Sequence, residues 1–221
     1  MTAPQPDATT RIHRALAAPD PSIRQRAAML AGTYPAPEHV DPLIARCAVE
    51  PDFFVRDMLT WALTRHPEHM TVPRLLAELA APQPQARSQA LHTLSKIGAA
   101  RTWPGVRGLL KDHDDEVARS AWRAAAVVAP AHARAETIET LATQLGRGDT
   151  DMQLSLSRAL IALAGSAEDT LSAVLRTAAS HPAMSDHAAA TELLWADPDA
   201  GFAIDHARKV RALAGSPHAD R

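Results

Sequence analysis

The chain has 221 residues, a formal net charge of −2 and only 4% aromatic residues. It therefore carries no cationic excess to hold a phosphate backbone, and its core must come from Ala, Leu, Val, Ile and Met rather than aromatics. The single cysteine, Cys47, excludes an internal disulfide and fits a reducing cytosol.

Ala- and Leu-rich sequence favours helix, because those side chains lose little entropy there. No stretch alternates β-branched or aromatic residues with polar ones as a half-buried strand does. The expected class is all-α. No run approaches the ~18 apolar residues of a membrane span, and Met1 to Thr10 lacks the basic and apolar regions of a secretion signal. These features predict a soluble, cytoplasmic protein with no membrane contact. The preference for Arg over Lys (only Lys96, Lys111 and Lys209) fits a GC-rich, bacterial-type coding sequence.

In chain order, residues 1–10 read as a disordered tail, 11–214 as a single helical domain and 215–221 as a second tail. Four segments align with one another, beginning at Asp20, Asp52, Pro84 and Asp115. The first three place an apolar residue before Arg, at Arg24, Arg56 and Arg87, with steps of 32 and 31 residues. A further 31 residues lands on Ala118, beside Arg119, and another 35 on Gln153 of a weaker copy.

Each copy carries an apolar stripe at helical spacing: Ile23, Ala27, Leu30 and Ala31; Val55, Leu59, Ala62 and Leu63; Ala86, Ala90 and Leu94; Val117, Ala121 and Ala125. Asp20 and Asp52 stand where N-caps belong. A companion helix precedes each later copy, at His39 to Val49, Val72 to Ala80, Trp103 to Lys111 and Ala135 to Leu145. Pro-containing breakers separate the two, as in Glu50-Pro51-Asp52 and Ala81-Pro82-Gln83-Pro84. Three further helices are predicted near Leu171–Ala179, His187–Trp195 and Phe202–Ala214.

The run from Thr71 to Ala99, with Pro-Arg-Leu-Leu-Ala-Glu-Leu-Ala-Ala-Pro followed by Ala-Arg-Ser-Gln-Ala-Leu-His-Thr-Leu-Ser-Lys-Ile-Gly, resembles a HEAT repeat. The resemblance covers roughly residues 10 to 165. It implies a right-handed α-α superhelix, a HEAT-like solenoid of about six helix pairs, in which stacked pairs share one core. It further implies that the repeat arginines form a structural ladder, pairing with the Asp of a neighbouring repeat. Function is then expected on a concave ridge lined by the second helix of each pair.

Counting from each repeat Arg gives that ridge. The residue five positions on is Met29, Trp61, His92, Arg123 and, in the weak copy, Arg158. The residue just after the Arg position is Gln25, Asp57, Ser88, Arg119 and Leu154. Asp57, Trp61, His92, Arg119, Arg123 and Arg158 are therefore the expected partner-binding residues. Two readings stay open: Trp61 packs between repeats and the arginines are merely solvated, or exposed Trp and Arg anchor a protein partner.

Eleven histidines raise the question of a metal. The densest group, His66-Pro-Glu-His69, falls on a turn because Pro67 ends the preceding helix. No HExxH and no zinc-like spacing occurs. HEAT-like iron hydroxylases use repeated His-Glu pairs, whereas this chain has Glu38-His39 and Glu68-His69 in the opposite order. Cys47 lies on the apolar stretch with Leu43 and Ile44 and reads as a core residue.

No phosphate loop, nucleophile elbow or other catalytic constellation is present. No cofactor and no metal are expected. The leading expectation is a scaffold or adaptor that binds a protein segment on its concave surface. The alternative is a DNA glycosylase of the HEAT-like alkylpurine type. There, Trp61 would stack on a damaged base and Asp57 would stabilise cationic charge at the sugar. The sparse basic surface argues against that DNA-binding role.

Overall fold

A computed structural model of the chain describes residues 7–165, 167–200 and 202. The described residues are all-α, with twelve helices and no strand. The helices are α1 (Ala8–Leu16), α2 (Pro21–Thr33), α3 (Pro37–Cys47), α4 (Phe53–Arg65), α5 (Glu68–Glu78), α6 (Pro84–Ile97), α7 (Trp103–Arg107), α8 (Asp115–Val128), α9 (Arg134–Ala142), α10 (Thr150–Ala164), α11 (Glu168–Ala179) and α12 (Pro182–Ala196). The chain divides into two compact units, residues 1–106 and 107–221.

Helix α1 begins at Ala8, inside the segment expected to be a tail, because Asp7 accepts a hydrogen bond from the Thr10 amide and caps it. The expected helix at Phe202–Ala214 and the tail at 215–221 lie outside the described residues, apart from Phe202. No helix among the described residues is long and apolar enough to cross a membrane.

In the first unit, α2 packs on α4 and α4 on α6, while α1, α3 and α5 form a second row behind them. In the second, α8 packs on α10, and α9, α11 and α12 complete the unit. Aspartates start most second helices. Asp20, Asp52, Asp114 and Asp149 each accept from amides in the first turn, at 2.8 to 3.1 Å. Each such cap satisfies an otherwise orphaned N–H.

The repeat arginines do their work on loops. Arg24, Arg56 and Arg87 each donate through Nη1 to the carbonyls six and five residues earlier. These are Ala18 and Pro19, Glu50 and Pro51, Ala81 and Pro82, at 2.7 to 3.2 Å. The turn before each helix leaves two carbonyls with no helical partner, and the guanidinium one turn inside the helix is the nearest donor.

Arg24 also grips a carboxylate, that of Glu50 from the next pair. In the fourth copy Ala118 occupies the Arg position. Arg147, from the loop before α10, donates instead to the two equivalent carbonyls, Asp112 (2.8 Å) and His113 (3.2 Å). In the fifth copy Gln153 donates to the carbonyls of Gly146 and Gly148, seven and five residues earlier.

Most of the expected stripe is buried, including Ala27, Ala31, Val55, Leu59, Ala62, Leu63, Ala86, Ala90, Leu94, Val117, Ala121 and Ala125. Ile23 and Leu30 are the exceptions, at 38% and 43% exposure. Helix α2 meets α4 at Gly32, on a helix whose Ala28 and Ala31 are fully buried. Gly32 lies so close to Trp61 and Ala62 that a Cβ there would sit 2.5 Å from the Trp61 ring and 2.8 Å from the Ala62 Cα. Ile23 and Leu30 line a cleft beside α1, with Ile12 and Tyr34.

Candidate functional site

The second unit gathers three guanidiniums on neighbouring helices. Arg119 and Arg123 lie one turn apart on α8, and Arg158 lies on the adjacent α10. All three line one groove of about 380 Å³, together with Ala126, Asp151, Leu154, Ser155 and Ala159. The core register explains the placement. Ala118, Ala121, Trp122 and Ala125 turn inward on α8, and Leu156, Ala159 and Leu160 on α10, so the residues between them face the groove. Trp122 is fully buried and donates its indole N–H to the Leu110 carbonyl at 2.9 Å.

Arg119 is held by Glu116 at 2.9 Å, and its Nε is buried without a partner. Arg123 and Arg158 have no hydrogen-bond or ion-pair partner among the described residues. Burial and then the neighbouring Arg119 push the Arg123 guanidinium below its ordinary range, with Glu116 opposing. A surface that concentrates cations against one another in this way gives up some stability, and an arriving anion would relieve it.

The first unit places Asp57 and Trp61 on α4, both exposed and one turn apart. The Trp61 ring rests on Gly32 of α2, yet 40% of the residue is exposed. Both readings of Trp61 thus describe part of it. Met29, at the same register on α2, is 44% exposed, so the two helices present adjacent apolar surface. His92 on α6 is half-buried. The six expected residues therefore fall into two groups: Asp57, Trp61 and His92 in the first unit, and the three arginines, brought together, in the second.

Several features of the first unit were not legible. Val49, Phe53 and Phe54 are all more than 60% exposed around the start of α4, with Arg56 6.0 Å from the Phe53 ring centre. A Phe-Phe pair directly after an N-cap aspartate was the available signal. His13, His39 and His66 form a row across the unit. His13 and His39 nitrogens are 3.2 Å apart, and the His39 and His66 rings meet edge to face at 6.3 Å. His39 and His66 are buried rather than exposed to solvent. Their near-regular recurrence along the sequence was the signal for this row.

Burial, with His13 and then His66 beside it, holds His39 below its usual range. Among the described residues no group of three or more His, Cys, Asp or Glu is placed to hold a metal ion. Cys47 is buried in the core, and burial pushes its thiol up to about 12. It is an inert packing residue.

The fold has counterparts among solved structures. An engineered protein, Northeast Structural Genomics Consortium target OR497, aligns with a TM-score of 0.50 at 20% identity, over 94% of this chain and 61% of that one. A second engineered protein, target OR329, aligns at 19% identity over 82% of this chain and 94% of that one, with a TM-score of 0.47. The former likeness concerns fold alone. No family model and no curated protein matches the chain.

Proposed function

We propose that the chain is an interaction scaffold of HEAT-like kind, its six helix pairs continuing as a right-handed superhelix and its second helices presenting a concave surface to a protein segment. The observation that carries this reading is the exposure of one register. Met29, Trp61, Arg123 and Arg158, each five residues beyond a repeat position, are exposed on α2, α4, α8 and α10, His92 at that register on α6 is half-buried, and most of the intervening stripe is buried. Trp and Arg are the side chains that supply most binding energy at protein interfaces, because they bring large area and several donors at modest entropic cost.

Two further points support a binding role over a catalytic one. The polar groups with unusual environments, Glu50 and His187, are built into loop and core contacts. The exposed register contains no nucleophile beside a base.

The test is affinity capture with wild-type protein and a Trp61→Ala, Arg123→Ala double variant. The double variant is expected to lose the captured partner while staying folded, its lower melting temperature matched by Trp61→Ala alone. Unchanged capture would show that this register is not the binding surface.

A further inference from the structure

We infer that the groove between α8 and α10 binds an acidic peptide segment in which carboxylates alternate with apolar side chains; this rests on the scaffold reading and gives its partner a chemistry. The groove walls carry three guanidiniums, Arg119, Arg123 and Arg158, and one carboxylate, Asp151. Arg119 is already engaged by Glu116. Arg123 and Arg158, on opposite walls, are the two that offer unused donors.

Guanidinium forks match carboxylates geometrically and are more weakly hydrated than ammonium groups, so the exchange of water for a carboxylate is favourable there. The rest of the lining is Ala126, Leu154 and Ala159, with Ser155 as a hydroxyl. Such a mixed lining takes an aliphatic side chain beside the charges. At about 380 Å³ the groove lies near the lower end of ligand-sized clefts, roughly 300–1,000 Å³. That volume suits a few side chains of an extended segment.

The charge arrangement selects against the other anions. Cations spread over two helices, with Asp151 among them, match single charges distributed along a peptide better than one compact dianion. A nucleic acid needs a continuous basic stripe, and this chain has a net charge of −2. Arg123 is pushed down by burial and by Arg119, so neutralisation by carboxylates is worth more here than at an isolated surface arginine.

The experiment is selection of a random peptide display library against the full chain, with counter-selection on an Arg123→Ala, Arg158→Ala double variant. Selected peptides are then measured by fluorescence anisotropy at two salt concentrations. The expected pool is enriched in Asp and Glu flanked by Leu, Ile or Val. Replacing the acids by Asn and Gln, or using the double variant, is expected to weaken binding about tenfold, as loss of two partly exposed ion pairs of about 0.7 kcal/mol each would do.

A pool without acidic enrichment overturns the inference. So does affinity that survives in the double variant. Tighter binding of a phosphorylated peptide or a short single-stranded DNA than of any acidic peptide overturns it as well. In those cases the scaffold reading still stands if partner capture remains sensitive to Trp61→Ala and Arg123→Ala, and both fail together if it does not.

Discussion

Arg24 holds Glu50 with two parallel hydrogen bonds, Nε to Oε2 at 2.7 Å and Nη2 to Oε1 at 2.6 Å, and Glu50 has no exposed surface. Arg46 adds a third bond at 2.6 Å and the Asp52 amide a fourth at 3.0 Å. The Glu50 carbonyl in turn accepts from Arg56 and Gln85. One residue thus ties three consecutive helix pairs together. Burial alone would raise this carboxyl; Arg24, Arg46 and the Asp52 amide hold it down at about 2.

Glu50→Ala should therefore leave two largely buried guanidiniums without their counter-charge. Breaking such a pair by removing one member costs about 3–5 kcal/mol. Urea denaturation should show a lower midpoint with little change in slope. A loss below about 1 kcal/mol would mean the arginines find other partners. For the intact protein, a depressed carboxyl contributes stability above its ordinary value of 4.5. That contribution disappears as pH falls from there toward 2.

His187 gives a second, higher pH window. Its Nδ1 accepts from the Gly146 amide at 2.9 Å, which fixes the neutral tautomer with the proton on Nε2, 3.0 Å from the Gln153 carbonyl. Protonation would point a new N–H at an existing donor. Burial lowers the imidazole from 6.5 to about 4 against the opposing Gln153 bond. A histidine depressed in the folded state contributes stability above 6.5 that is lost as pH falls to 4, at most roughly 3 kcal/mol. Thermal melts between pH 7 and 4 should show this slope. His187→Asn, which can still accept from Gly146, should flatten it, and an unaltered slope would assign the effect to other groups.

Gly32→Ala tests the contact between α2 and α4. The added methyl would meet the Trp61 ring at 2.5 Å and the Ala62 backbone at 2.8 Å. Trp61 can swing outward, but the Ala62 backbone cannot without moving α4. Overpacking of this kind costs about 1–3 kcal/mol. Tryptophan fluorescence should also shift toward a more solvated Trp61, and a neutral effect on both readouts would show a looser helix contact.

The groove arginines should behave in the opposite way. Arg123 and Arg158 make no ion pair among the described residues, and Arg123 faces a like charge. Arg123→Ala with Arg158→Ala should change stability by no more than about 0.5 kcal/mol. Differential scanning calorimetry checks this directly. A loss above 2 kcal/mol would identify these side chains as structural.

The legible part of the fold was whatever depends on local repetition. Asp20 and Asp52 cap their helices as their position implied, and the stripes beginning at Val55, Ala86 and Val117 are buried. The same counting brought Arg119, Arg123 and Arg158 to one groove, because helix periodicity alone decides which side chains share a face. What escaped the sequence depends on neighbours. Ile23 and Leu30 carry the helical period of core residues, yet α2 meets α4 at Gly32, whose lack of a side chain permits closer approach. The row of His13, His39 and His66 joins α1, α3 and the end of α4 and has no signature within any one helix. The loop bonds of the repeat arginines go to backbone carbonyls, which a sequence does not distinguish from one another.

The substitution of Arg147 for a missing repeat arginine also bears on the order in which the chain assembles. In the first three copies the loop is pinned by an arginine five or six residues away, so each turn can lock as soon as its own helix forms. The turn at Asp112 and His113 waits for a side chain 34 or 35 residues later. Closing that longer loop is an entropic cost that must be met before the bonds return anything. The early turns can therefore nucleate independently. The turn before α8 gains its two Arg147 bonds only once the chain has been made, and folded, through that residue, so a chain shortened before Arg147 should lack both.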